Sequence, residues 1–265
     1  MDFNLDSYLR RIGLDTAPSA DAAGLAKLVE AQARAIAFEN FDVWLGRPLS
    51  VEPEAIVAKL VGHRRGGYCF ELNGLLGMAL DTLGFNACPL LARVLNHHKP
   101  GEPPRARTHQ VMLVTLDDAR WIADAGFGGG LPCRPLPLMT DTEHGQLGER
   151  LRYRQDPALG WVLQLADSSG WRDLYGFSLE RAYPADIVCA NHYTATFPCS
   201  SFVTSVFASR PDGEGRMVLR GREVILHRGG QTRTERAPEG PARIGWLRTR
   251  FGIELDIAPD ELPPF

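Results

Sequence analysis

The spacing of apolar residues changes period twice along this chain, and that change restricts the fold more than any other property. From residue 2 to about residue 84 the period is helical. Leu5, Tyr8, Leu9 and Ile12 recur at helical spacing and Gly13 follows as a stop; residues 22–37 place Leu25, Leu28, Val29 and Ile36 on one face, interrupted by Gln32. Residues 53–61 read as a short helix with Pro53 at its start and Gly62 past its end. Residues 72–83, closed by Gly84, read as a strongly apolar helix central to a bundle. From about residue 87 to 182 the period is two. Strands are expected at residues 90–95, 109–116, 120–125, 151–154, 161–165 and 171–179, joined by turns rich in Gly, Pro, Asp and Asn, which suits a small antiparallel barrel or sandwich. Residues 183–265 are mixed, with strands expected at 202–208, 216–219, 223–227 and 231–235 and a helix at 241–251. Helices, then strands, then a mixed segment give an α+β fold, divided here as 1–85, 86–185 and 186–265.

A chain of 265 residues buries enough surface to fold without disulfides or a metal. Its net charge of −3 leaves no electrostatic footprint for nucleic acid or an anionic membrane. No run approaches the roughly 18 consecutive apolar residues of a membrane span, and the acidic start of the chain lacks the pattern of a secretory signal, so a cytoplasmic protein with reduced thiols is expected. The cysteines (Cys69, Cys88, Cys133, Cys189 and Cys199) are odd in number and include no C-x-x-C pair, which argues against a disulfide framework and a zinc site. His63, His97 and His98 have no partner at metal-ligand spacing, so no metal is expected.

One thiol has a setting for chemistry. In Arg64-Arg65-Gly66-Gly67-Tyr68-Cys69-Phe70-Glu71-Leu72-Asn73 the glycines allow a tight turn, and Cys69 comes just before the apolar helix. There it faces unpaired backbone N–H groups and the positive end of the helix dipole, which favour a thiolate and can stabilise an oxyanion. A thiolate nucleophile needs a base and a group that orients it. His109 begins an apolar strand, and Asp124 ends the next one after a turn at Asp117-Asp118. Antiparallel pairing makes the two neighbours, with His109 Nδ1 expected on Asp124 and Nε2 turned to the thiol. Gly126-Phe127-Gly128-Gly129-Gly130 follows directly; it is neither a Walker loop nor a dinucleotide fingerprint, and it reads as backbone that lets a ligand approach closely. These residues alone leave open an acyltransferase, a hydrolase or transglutaminase-like enzyme of the same Cys-His-Asp class, and a binding domain that keeps Cys69 in its core.

Four stretches narrow the choice. Ala37-Phe38-Glu39-Asn40-Phe41-Asp42-Val43, the Arg64 to Asn73 motif, Thr108-His109 with Ala123-Asp124-Ala125-Gly126-Phe127-Gly128, and Asn191-His192-Tyr193-Thr194-Ala195-Thr196-Phe197-Pro198-Cys199-Ser200-Ser201-Phe202 resemble the arylamine N-acetyltransferase family. The resemblance implies an N-terminal helical bundle, a central antiparallel β-barrel and a C-terminal α/β lid around a cysteine-protease-like Cys-His-Asp core. It also implies ping-pong transfer of acetyl from acetyl-CoA through Cys69 to an arylamine, arylhydrazine or arylhydroxylamine, with His109 as proton carrier and Asp124 orienting it. Gly126, Phe127, Gly128 and Gly129 would then line the approach of co-substrate and acceptor, Phe127 walling the aromatic ring. Phe41 and Trp44 stand out as bulky residues in a segment expected on the pocket side. Amide synthases sharing fold and motifs remain the nearest alternative.

Overall fold

The computed structural model describes residues 3–96, 102–258 and 261–265; His97 and His98 lie outside them. The first segment runs α1 (Leu5–Ile12), α2 (Ala22–Ala35), β1 (Phe38–Glu39), α3 (Phe41–Trp44), α4 (Pro53–Val57), a π-helical turn (Ala58–Gly62) and α5 (Cys69–Thr82). The barrel strands follow: β2 (Asn86–Val94), β3 (Arg107–Leu116), β4 (Ala119–Ala123), β5 (Leu136–Pro137), β6 (Glu143–Gln146), β7 (Glu149–Asp156), β8 (Gly160–Asp167) and β9 (Gly170–Arg181). The remainder is α6 (Pro184–Thr196), α7 (Ser201–Thr204), β10 (Phe207–Asp212), β11 (Gly215–Arg220), β12 (Glu223–Arg228), β13 (Gln231–Arg236) and α8 (Ala242–Phe251).

The helices begin and end for local reasons. Asn4 and Asp21 cap α1 and α2 by accepting from the backbone N–H groups of Ser7 and Gly24. Pro53 opens α4, where its missing N–H costs nothing. The expected helix at 53–61 is α-helical only to Val57 and then widens into the π turn. α5 is longer at its start than expected: Cys69 is its first residue, with Tyr68 as N-cap.

Strands β2 to β9 form an eight-stranded antiparallel sheet in the order β5-β4-β3-β2-β9-β8-β7-β6, curled into a near-closed barrel. Gln146 stitches its ends, accepting from the N–H groups of Cys133 and Arg134 and donating to the Arg134 carbonyl. The two shortest strands, β5 and β6, escape a reading based on alternation because neither contains enough residues to display it. Leu90, Val111, Ile122, Leu151, Leu163 and Tyr175 fill the barrel.

The second sheet has the order β1-β10-β11-β12-β13. Its edge strand β1 comes from the N-terminal segment, Phe38 pairing with Ser209 and Glu39 with Ala208. The strand expected at 202–208 is instead the short helix α7 followed by β10; Ser200 accepts from Phe202 N–H and turns the chain. α6 was not expected. Its buried side is narrow, with Asn191 and Thr194 inside and Val188, Tyr193 and Phe197 exposed, so its apolar pattern does not read as a single face. α8 covers this sheet with Leu247 and Phe251. Phe41 is fully buried in the same cluster, its ring against Trp44 and Phe265, so its bulk serves the core rather than a pocket wall. No helix among the described residues is long and apolar enough to cross a membrane.

Gln32, which interrupted the apolar face of α2, is fully buried and satisfied: Tyr8 Oη donates to its Oε1 at 2.7 Å, and its Nε2 donates to the Leu72 carbonyl at 2.8 Å. It pins α1 and α2 to the helix that carries Cys69. Replacing it with leucine orphans the Tyr8 hydroxyl, so Gln32→Leu is expected to lose about 1–3 kcal/mol in a denaturant titration, with Tyr8→Phe/Gln32→Leu recovering part of it.

Candidate active site

Cys69, His109 and Asp124 come together where α5 meets β3 and β4. They are nearly or fully buried, with exposures of 1%, 1% and 0%. The β3–β4 ladder ends on the pair Met112–Ala123. One step further sets Asp124 opposite Val111, which leaves His109 diagonal to Asp124 on the same sheet face. His109 Nε2 lies 2.8 Å from Asp124 Oδ2.

The expected ring assignment is therefore reversed: Nε2 meets the acid, and Nδ1 is left for Cys69, whose sulfur interacts with the ring. Cys69 Sγ lies beside the main chain of β3, 3.6 Å from the Thr108 carbonyl, and with Nε2 taken by Asp124 its interaction with the ring falls to Nδ1. Asp124 lies diagonally across the ladder and takes the outer nitrogen. Burial alone would push the imidazole down; the Asp124 carboxylate and the Cys69 sulfur outweigh it and lift His109 to about 10. The rings of Phe127 and Tyr175 flank it at centroid distances of 5.2 and 5.0 Å. Burial holds the Tyr175 phenol well above its ordinary range.

Asn73 lies one turn beyond Cys69, on the same side of α5. Its Nδ2 donates to Asp124 Oδ1 at 2.9 Å and to the Gln110 carbonyl at 2.6 Å, and its Oδ1 accepts from Ala125 N–H at 3.0 Å. Gly126 N–H donates to Asp124 Oδ1 at 2.9 Å. A Cβ on Gly126 would stand 2.9 Å from Cys69 Cα, so glycine is required there for the loop to pack on the helix start. Gly128, Gly129 and Gly130 all adopt left-handed φ values of 84°, 73° and 80°. Arg216 holds this run: its Nη1 donates to the Gly129 carbonyl at 2.9 Å while Glu149 accepts from its Nε and Nη2.

A buried ionic network fixes the turn before Cys69. Arg65 donates to Glu39 Oε1 and Asp42 Oδ1, and Lys59 Nζ lies 2.7 Å from both Asp42 Oδ2 and Glu71 Oε1. Glu71 Oε2 accepts from Tyr68 N–H at 3.0 Å, the reach-back half of a capping box, while its own N–H donates to the Tyr68 carbonyl. Burial works against ionising Asp42, but Lys59 and Arg65 outweigh it and hold the carboxyl below the usual carboxylate range. Asn40 Nδ2 donates to the Phe202 and Ser205 carbonyls and its Oδ1 accepts from Phe207 N–H. Tyr68 Oη bonds Asn191 on α6. Lys59, Asn73 and Tyr175 were not foreseen. Of these, Asn73 was the most findable, an amide one helical turn from the candidate nucleophile.

Residues 21–260 match a family described as N-acetyltransferase. The arylamine N-acetyltransferase of Mycolicibacterium smegmatis is 37% identical over 97% of this chain and 95% of its own length. The arylamine N-acetyltransferase / N-hydroxyarylamine O-acetyltransferase of Salmonella typhimurium is 37% identical over 84% of this chain and 79% of its own. Among solved structures, the Mycobacterium marinum arylamine N-acetyltransferase in complex with CoA superposes with a TM-score of 0.88 at 37% identity, covering 94% of this chain and 93% of that one. The chain belongs to the arylamine N-acetyltransferase family and is an enzyme of that type.

Two outcomes test this arrangement. Arg65→Met leaves Glu39 buried without its partner and is expected to cost about 3–5 kcal/mol in a denaturant titration. Because the folded His109 is lifted from 6.5 to about 10, its contribution to stability is complete below pH 6.5 and is lost as pH rises through 10. Stability measured across that window is expected to fall in the wild type, and this component is expected to vanish in His109→Gln.

Proposed function

We propose that this chain moves an acetyl group from acetyl-CoA to the nitrogen of an arylamine, arylhydrazine or arylhydroxylamine through a thioester on Cys69. The observation that carries the reading is the buried His109 ring held between Asp124 and Cys69 at the start of α5. The family membership and a relative solved with CoA support it.

The Cys69 thiolate attacks the thioester carbonyl, and the developing oxyanion is met by the N–H groups of Cys69 and Phe70 at the start of α5, since those of Glu71 and Leu72 already donate to the Tyr68 carbonyl. The bond to the CoA sulfur breaks, and the His109 imidazolium gives its Nδ1 proton to the departing thiolate. The acceptor nitrogen then attacks the acetyl-Cys69 carbonyl and loses a proton to the now neutral His109. The Cys69 sulfur leaves as thiolate, restoring the ion pair. An aromatic amine is a weak base whose nitrogen must shed a proton as the amide forms, and His109 supplies the acceptor for it. Asp124 keeps the ring oriented and stabilises its charge. We assign Phe127, Gly128 and Gly129, with Gly126 behind them, to the approach by which co-substrate and acceptor reach Cys69.

Mixing the protein with acetyl-CoA alone is expected to add one acetyl group, seen by intact mass and mapped to Cys69; adding an arylamine or arylhydrazine is expected to remove it. Failure to label, or equal turnover by Cys69→Ala, overturns the mechanism. Asp124→Asn is expected to lower turnover by about a thousandfold or more, and wild-type turnover in that variant would remove Asp124 from the machinery.

A further inference from the structure

Asn73 closes the motif that begins at Arg64, and the transfer steps give it no task. It is fully buried on α5, whose other buried residues beyond Glu71 are all apolar: Leu72, Leu75, Leu76, Ala79 and Leu80. A buried amide costs free energy unless its hydrogen-bonding groups are met. Both N–H groups of Asn73 and its oxygen are met, and each partner lies beside a member of the site. One N–H of Nδ2 goes to Asp124 Oδ1 at 2.9 Å, and the other to the carbonyl of Gln110, the residue after His109, at 2.6 Å. Oδ1 takes the N–H of Ala125, the residue after Asp124, at 3.0 Å. A Cβ on Gly126 would stand 3.0 Å from Nδ2, so the glycine leaves room for the amide.

These partners fix the residue type. The Asp124 carboxylate and the Gln110 carbonyl only accept, and the Ala125 N–H only donates. The side chain must give two protons from one arm, accept on the other, and do so without titrating. Among side chains of this size only asparagine does both; aspartate has the same shape but gives a proton only when it is protonated. Asn73 and Gly126 N–H together hold Asp124 Oδ1, which leaves Oδ2 facing His109 Nε2. We propose that Asn73 is a positioning residue for the acetyl transfer: by anchoring Asp124 Oδ1 to the helix of the nucleophile, it keeps Oδ2 on the imidazole and so maintains the pair of Cys69 thiolate and His109 imidazolium. This rests on the acetyl-transfer reading above. The other titratable groups acting on Asp124 are His109, which faces Cys69, and the phenols of Tyr153 on β7 and Tyr175 on β9; burial lifts both phenols far above their ordinary range, so neither changes charge between about pH 6 and 9.

The test reads the thiolate directly, as alkylation of Cys69 by iodoacetamide without co-substrate, mapped by peptide mass. Cys189 and Cys199 are exposed and supply a reference rate in the same molecule. In the wild type the Cys69 rate is expected to stay nearly level from about pH 6 to 9, because the ion pair holds the thiolate throughout. In Asn73→Asp two carboxyl groups share one site, and such a pair keeps a proton well above the ordinary carboxylate range. While that proton is present, the new side chain donates to Asp124 as the amide does. Once it is lost, the carboxylates repel and Asp124 leaves the imidazole. The Cys69 rate in Asn73→Asp is therefore expected to match the wild type near about pH 6 and to fall about tenfold by about pH 9, as when one hydrogen bond to a charged group is lost. Asn73→Ala has no donor at any pH and is expected to lose about tenfold throughout. A level profile in Asn73→Asp, an equal loss at every pH in that variant, or an alanine variant as reactive as the wild type overturns the proposal and makes Asn73 a packing residue. Should the alanine variant not fold, the aspartate variant, equal in size, decides alone. A wild-type rate that climbs with pH alongside Cys189 overturns both the ion pair and the role of Asn73. A wild type whose Cys69 alkylates as expected but takes no acetyl from acetyl-CoA overturns the acetyl-transfer reading, whereas one that takes it, with a level profile in Asn73→Asp, overturns only the role of Asn73.

Discussion

Burying the Asp124 carboxylate is costly unless its oxygens meet donors, and the donors it meets come from three separate parts of the chain. His109 Nε2 reaches it from β3, Asn73 Nδ2 from α5 and Gly126 N–H from the loop after β4. Each bond satisfies the carboxylate and also fixes one component of the site: the imidazole, the helix that begins at Cys69, and the glycine run. Helix, barrel and loop are thus registered on one buried charge. Gly126 makes the register tight, since a Cβ there would push against the Cys69 backbone.

A second set of buried charges holds the other side of α5. Glu39, Asp42, Lys59, Arg65 and Glu71 form a connected network beneath the turn that delivers Cys69. Glu71 belongs to both structures, pairing with Lys59 and closing the helix cap through Tyr68 N–H. Because Glu39 sits on β1, the same network ties the Cys69 turn to the second sheet, through the pairing of Phe38 with Ser209.

Much of the helical segment and most of the barrel were legible because they obey a simple period. α1 and α8 appear within a residue of their expected bounds, and His109 and Asp124 fall on one sheet face as the hairpin required. The misses have physical causes. α6 buries only a narrow stripe and exposes aromatic residues, so its pattern carries no clear face. Residues 202–208 have strand-like composition, yet the Ser200 hydroxyl caps a short helix in their first half. The orientation of the His109 ring was read the wrong way round because it depends on where α5 sets Cys69 relative to the main chain of β3, which a hairpin alone does not specify.

The sequence by itself determined the period changes, the motif that starts a helix at a thiol, and the two-strand spacing that puts an imidazole beside a carboxylate, because each is set by neighbours a few residues apart. Only the tertiary structure decided which ring nitrogen faces the sulfur, that Lys59 and Asn73 are bound into the site, and that β1 pairs into the second sheet. Those facts join residues as far apart as Phe38 and Ser209. No local spacing encodes such a contact; it exists only once two sheets and a helix have packed and each buried charge has found its partner.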